Sequence, residues 1–189
     1  MEVNALTRKN EGLLNCIKTN ARIINPFNPS KEESTLAIWD TGATNSVITK
    51  SVAAKLGLVP VSMATVKGVH GSRAVNVYFV KIVLNNENIT ITTLVTECDE
   101  LSNSQDTGML IGMDLIQKGD FCISNFNGNT IMTFRVPSIE IVDYVEDIRT
   151  HKHYLKIHEL NMRKGLTDKC PCGSGKLFKN CHGKSPYFK

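Results

Sequence analysis

The sequence predicts a mainly β domain, then a helical linker, then a small module stapled by metal. Three observations carry this. Short β-branched runs alternate with turn clusters from residue 12 to about 137. Apolar residues then change to helical spacing, and three cysteines beside a histidine crowd into residues 170–182. The predicted organisation is a tail at 1–11, the β domain at 12–137, the linker at 138–168, the module at 169–184 and a short tail at 185–189.

Within the β domain, Ala21-Arg22-Ile23-Ile24, Val75–Val80 and Ile89–Val95 read as strands. Asn25–Ser30, Asn85–Asn88 and Asn127-Gly128-Asn129 read as turns. The last of these, between Phe121-Cys122-Ile123 and Thr130–Phe134, is a strong hairpin signal. One helix is expected over Thr49–Leu56, stopped by Gly57. In the linker, Ile141, Val142, Tyr144, Val145, Ile148, Tyr154, Leu155, Ile157 and Leu160 predict one helix, or two broken near Thr150-His151.

Composition narrows the function classes. At 189 residues, 41% hydrophobic and 21% charged, the chain is globular rather than disordered, and its apolar runs are too short to span a bilayer. The start of the chain lacks the basic-then-apolar order of a secretory signal, so a cytoplasmic protein is expected. Residues 1–137 carry no net charge, and 138–189 hold the whole excess of +4. Without interleaved aromatics, that basic stretch reads as a solvated helix and tail, and nucleic acid is not an expected partner. Cys16, Cys98 and Cys122 are scattered, and lone thiols of this kind are expected as small buried hydrophobes.

The residues with most chemistry are Asp40-Thr41-Gly42, delivered by Thr35-Leu36-Ala37-Ile38-Trp39. Aspartate is depleted in strands, and a glycine there marks a close backbone approach. Two carboxylates sharing one proton would use such a loop, because like charges in contact cannot both ionise. The loop continues through Ala43 into Thr44-Asn45-Ser46-Val47-Ile48. About 70 residues later comes Met109-Leu110-Ile111-Gly112-Met113-Asp114-Leu115-Ile116. Between them, Gly68-Val69-His70-Gly71 tips a candidate hairpin that can fold over a substrate.

On these three motifs the segment from Asn15 to Arg135 resembles the retropepsin-like aspartic proteases. The resemblance implies an acid-protease half-barrel that forms a homodimer, with one catalytic Asp40 from each chain meeting near a two-fold axis. It implies Thr41, Gly42 and Ala43 as support for the catalytic loop and Thr41 as a hydrogen-bonding contact across the dimer. It further implies Gly68, Val69, His70 and Gly71 as the flap, and Leu110, Ile111 and Gly112 as the element packed against the loop. The activity implied is hydrolysis of a peptide or protein substrate by a water held between two aspartates, without a catalytic cofactor and best at acid to weakly acid pH. Retroviral members also carry an Asp–Arg ion pair that supports the dimer. Here Thr44 or Asn45 and Met113 stand at those places, so that pair is absent.

A second triplet, Asp106-Thr107-Gly108, follows a polar stretch and abuts Leu110-Ile111-Gly112. It is expected to be a surface turn, not a second catalytic carboxylate.

In the tail, Cys170, Cys172, Cys181 and His182 form a closed set of four ligands suited to one structural Zn2+ per chain. So short a segment cannot bury a useful core, and metal must supply much of its folding free energy. With Gly173-Ser174-Gly175-Lys176 at its centre, the segment resembles the SEC-C motif of the SecA tail. That resemblance implies a docking role, with a protein or ribosome as partner. The sequence therefore reads as a homodimeric aspartic endopeptidase with a zinc-stabilised tail. The alternative is a non-catalytic peptide- or protein-binding dimer on the same fold.

Overall fold

The computed structural model describes residues 2–68, 71–84, 88–101, 106–161, 167–170, 172–181 and 183. They fall into two compact units, Met1–Glu140 and Ile141–Lys189.

The first unit is built from ten strands: β1 (Asn4–Asn10), β2 (Lys18–Ile24), β3 (Glu32–Trp39), β4 (Val47–Thr49), β5 (Ser62–Gly68), β6 (Gly71–Leu84), β7 (Thr90–Cys98), β8 (Thr107–Ile111), β9 (Asp120–Ser124) and β10 (Thr130–Val136). The larger sheet runs β2-β3-β8-β4-β7-β6-β5. β2 pairs with β6 as well as with β3, Ala21 lying opposite Leu84, so six of these strands close into a barrel. Closure removes exposed sheet edges. Ile23, Ile48, Val80, Ile82, Val95, Met109 and Ile111 fill its interior.

The smaller sheet, β1-β10-β9, corrects the expectation of a tail at 1–11. β1 pairs along its whole length with β10, from Asn4 opposite Val136 to Asn10 opposite Thr130. Leu6 is buried there, and with Phe134 and Met132 it joins the barrel core. A seven-residue segment with one deeply buried side chain gives little sequence signal, because partner pairing rather than alternation holds it.

Two short helices punctuate the barrel. Thr49 caps α1 (Lys50–Lys55), its Oγ1 accepting from the Val52 amide, and Gly57 ends it at φ +57. The second, α2 (Met113–Ile116), follows β8 through Gly112. The hairpin joining β9 and β10 turns at Asn127 and Gly128, both with positive φ, as the sequence predicts.

In the second unit, α3 (Tyr144–Asn161) is continuous, without a break near Thr150-His151. Ile141 and Val142 precede it rather than lying on it. Among the described residues, no helix is long and apolar enough to cross a membrane.

Candidate active site

Trp39, the last residue of β3, is buried, with its indole stacked on Phe121 and tilted against Phe134. Its Nε1–H donates to Thr19 Oγ1 (2.9 Å). This anchored ring fixes the end of the strand, and the chain leaves it with Asp40 half-buried and Thr41 and Gly42 exposed. The Gly42 amide donates to Asp40 Oδ1 (2.8 Å), folding the loop back on its own carboxylate. A Cβ at Gly42 would stand 3.2 Å from that oxygen.

The expected packing element is present. β8 runs parallel to β3, with Ile111 opposite Trp39. The Asp40 amide donates to the Ile111 carbonyl (3.0 Å), Met113 to Ala43 (2.8 Å) and Asp114 to Thr44 (3.1 Å). A Cβ at Gly112 would lie 2.7 Å from the Asn45 carbonyl carbon and oxygen and 3.0 Å from the Ala43 oxygen. Only glycine allows this approach, which is why Leu110-Ile111-Gly112 pairs with the upstream loop.

Two residues the sequence reading missed join this contact. Ser46, fully buried, donates to Asp114 Oδ1 (2.7 Å) and accepts from the Gly112 amide (3.0 Å). Their signal was a hydroxyl six residues after Asp40 and a carboxylate two after Gly112, inside segments noticed for their apolar pattern.

β5 and β6 form the expected hairpin, with Gly68 opposite Gly71. Gly71 has φ +107, a conformation that disfavours a side chain. Val69 and His70 lie outside the described residues. Arg73, on the returning arm, donates to Asp99, which also pairs with Lys50 at the start of α1. Hydrogen bonds from Lys50 and Arg73 hold the Asp99 carboxyl at about 2, below its usual 3.8.

The second triplet lies elsewhere. Asp106 is exposed, but Thr107 and Gly108 are buried at the start of β8, not in a surface turn. The reason is parallel pairing with β3, which draws the strand in as far as Thr107, opposite Leu36. Asp106, just before β8, and Ile111, its last residue, stand about 16 Å apart along the strand at some 3.3 Å per residue. An open groove of about 1010 Å³ passes Thr35, Val52, Asp99, Asp106 and Gly108 but does not reach Asp40.

The scattered thiols also differ from expectation. Cys16 is exposed, while Cys98 and Cys122 are half-buried. Burial pushes the Cys98 thiol up to about 11. In the tail the direction reverses. Hydrogen bonds from Ser174 bring the Cys172 thiol down to about 6. The sulfurs of Cys170, Cys172 and Cys181 lie within 4.8 Å of one another, with Cys170 buried under Phe178. Three converging thiols, one already inclined to ionise, suit a metal ion. His182 lies outside the described residues.

Comparison with known proteins agrees with both halves. Residues 31–118 match the family described as "gag-polyprotein putative aspartyl protease", and residues 167–184 match the SEC-C motif. The tail is 70% identical over 23 residues to protein translocase subunit SecA of Verminephrobacter eiseniae, 12% of this chain and 2% of that protein's length. A retropepsin-like aspartic protease from Rickettsia conorii aligns at 15% identity over 72% of this chain and 97% of its own (TM-score 0.43). The retroviral protease-like domain of Ddi1 from Leishmania major aligns at 16% identity over 68% and 97% (TM-score 0.41). The Asp40 loop and its glycine partner lie inside the matched family segment, and the thiol cluster lies inside the matched motif. The chain thus joins a retropepsin-like β barrel, matched over residues 31–118 by the aspartyl protease model, to a segment that matches the SEC-C motif.

Proposed function

We propose that this protein is a homodimeric aspartic endopeptidase whose site is completed by Asp40 of a second copy. The observation that carries the reading is the Asp40 loop itself. Its strand side is clamped by Ile111 and Gly112, while Thr41 and Gly42 face outward. With Asp106 at the far end of β8, the described residues of a single chain offer one carboxylate in such a loop.

In the dimer, one Asp40 is ionised and takes a proton from the bound water as it attacks the peptide carbonyl. The other is protonated and donates to the carbonyl oxygen, and the roles exchange before the amine departs. Thr41 makes the contact across the two-fold axis, and the β5–β6 hairpin closes over the peptide. The tail holds one structural Zn2+ through Cys170, Cys172 and Cys181, with His182 as fourth ligand, and docks on a protein or ribosomal surface. Three thiolates and an imidazole leave no vacant position for catalysis. Six cysteines with no disulfide among the described residues suit a reducing, cytoplasmic setting.

The test is dilution. Specific activity on a short unstructured peptide should fall as protein concentration passes through the dissociation constant measured by sedimentation. Constant specific activity in a sample shown to be monomeric would refute the shared site.

A further inference from the structure

The missing retroviral ion pair leaves a question that the geometry answers. Thr44, Asn45 and Met113 cannot form it, yet Ala43–Ser46 and Gly112–Asp114 are held together by four hydrogen bonds. The Ile111–Gly112 peptide plane is gripped on both edges. Its carbonyl accepts from the Asp40 amide (3.0 Å) and its N–H donates to Ser46 Oγ (3.0 Å). A hydroxyl has one proton to give, and Ser46 gives it to Asp114 Oδ1 (2.7 Å). Asp114 Oδ1 also accepts from the Leu115 amide (3.0 Å), which fixes the carboxylate. The Ser46 carbonyl in turn accepts from Thr96 of β7 (3.2 Å), tying the same residue to the barrel wall.

We propose that Ser46 and Asp114 are the positioning pair for catalysis, a buried hydrogen bond within one chain that holds the Asp40 loop where the dimer-supporting ion pair of retroviral members is absent. Neither touches the reacting atoms. Asp114 orients the Ser46 hydroxyl, Ser46 locks the Ile111–Gly112 peptide, and that peptide sets the backbone from which the Asp40 side chain projects. Because both partners belong to the same chain, the loop is formed before dimerisation. The catalytic part of this inference rests on the proposed peptidase function.

The test uses the full-length protein with Ser46→Ala, Asp114→Ala and Asp114→Asn. Asparagine keeps an acceptor oxygen for Ser46, whereas alanine does not. The alanine variants should lose at least about tenfold in kcat with KM little changed, since small misplacements of reacting groups are costly. Asp114→Asn should stay within about threefold of wild type. Hydrogen exchange at the Gly112 amide should accelerate in both alanine variants and remain slow in Asp114→Asn. A merely structural pair would lower the melting temperature and leave kcat of the folded protein unchanged. Ser46→Ala with wild-type kcat and wild-type Gly112 exchange would overturn the proposal. If wild type cleaves nothing, the peptidase reading fails on its own, and Gly112 exchange still decides whether the pair locks the loop.

Discussion

The two Asp-Thr-Gly triplets share their residues and differ in everything around them. Asp40 leaves β3 beyond a buried Trp39, in a loop whose backbone is bonded to Ile111, Met113 and Asp114. Asp106 precedes β8, and there the buried members are Thr107 and Gly108. In the first triplet the glycine is exposed and the aspartate half-buried; in the second the order of burial is reversed. A catalytic carboxylate needs a rigid base and an open front. The first triplet has both. Strand order and the partner segment, not the three letters, set the two triplets apart, and the proposed function places its chemistry at the first.

The sharpest way to break this contrast is to remove each carboxylate in turn. Asp40→Asn should reduce peptide cleavage by several orders of magnitude while sedimentation and melting stay close to wild type. Asp106→Asn should leave cleavage within about twofold. Loss of cleavage in a folded Asp106→Asn protein would invert the assignment.

The glycines sharpen it next. Alanine at Gly112 would place a methyl 2.7 Å from backbone atoms of Asn45, and at Gly108 2.5 Å from Val52 Cγ2 and 2.7 Å from Thr35 Oγ1. Each should destabilise by about 1–3 kcal/mol in denaturant unfolding, as overpacked sites do. Gly42→Ala meets only Asp40 Oδ1, at 3.2 Å, so it should cost activity with little loss of stability. A stability loss at Gly42 equal to that at Gly108 would remove the distinction.

Metal removal separates the two units. Chelation should unfold the segment after about Thr167 and abolish docking, yet leave short-peptide cleavage intact, because the barrel core is made of other residues. Metal analysis of reduced protein should find one zinc per chain.

The smallest expected effect concerns acid. The Asp99 carboxyl is held at about 2 by Lys50 and Arg73. The Asp120 carboxyl is held there by hydrogen bonds from Ser138, Arg135 and the Ile139 amide. Both lie below the ordinary 3.8, so their contribution is present above that pH and is lost as pH falls toward 2. Melting temperature should thus change little on this account between pH 7 and 5, then decline below about 4.

Much of this was legible in the sequence, where local chemistry decides the structure. Thr49 and Gly57 announced α1, Asn127-Gly128 the last hairpin, and Asp40 with Gly112 the two halves of one contact. β1 was not legible, because its strand character comes from pairing with β10, 120 or more residues away. Nor was the inward course of Thr107 and Gly108, which depends on parallel pairing with β3. Ser46 and Asp114 escaped for a similar reason. They are 68 residues apart, and each looks ordinary until the fold joins them.

The central claim is that catalysis needs Asp40 from two chains, and mixing experiments test it most directly. A fixed amount of wild-type protein, titrated with Asp40→Asn under conditions where subunits exchange, should lose activity as mixed dimers with a single carboxylate replace wild-type ones. At a large excess of the variant, activity should approach zero. Unchanged activity despite demonstrated subunit exchange would contradict the account, because each wild-type chain would then carry a complete site of its own.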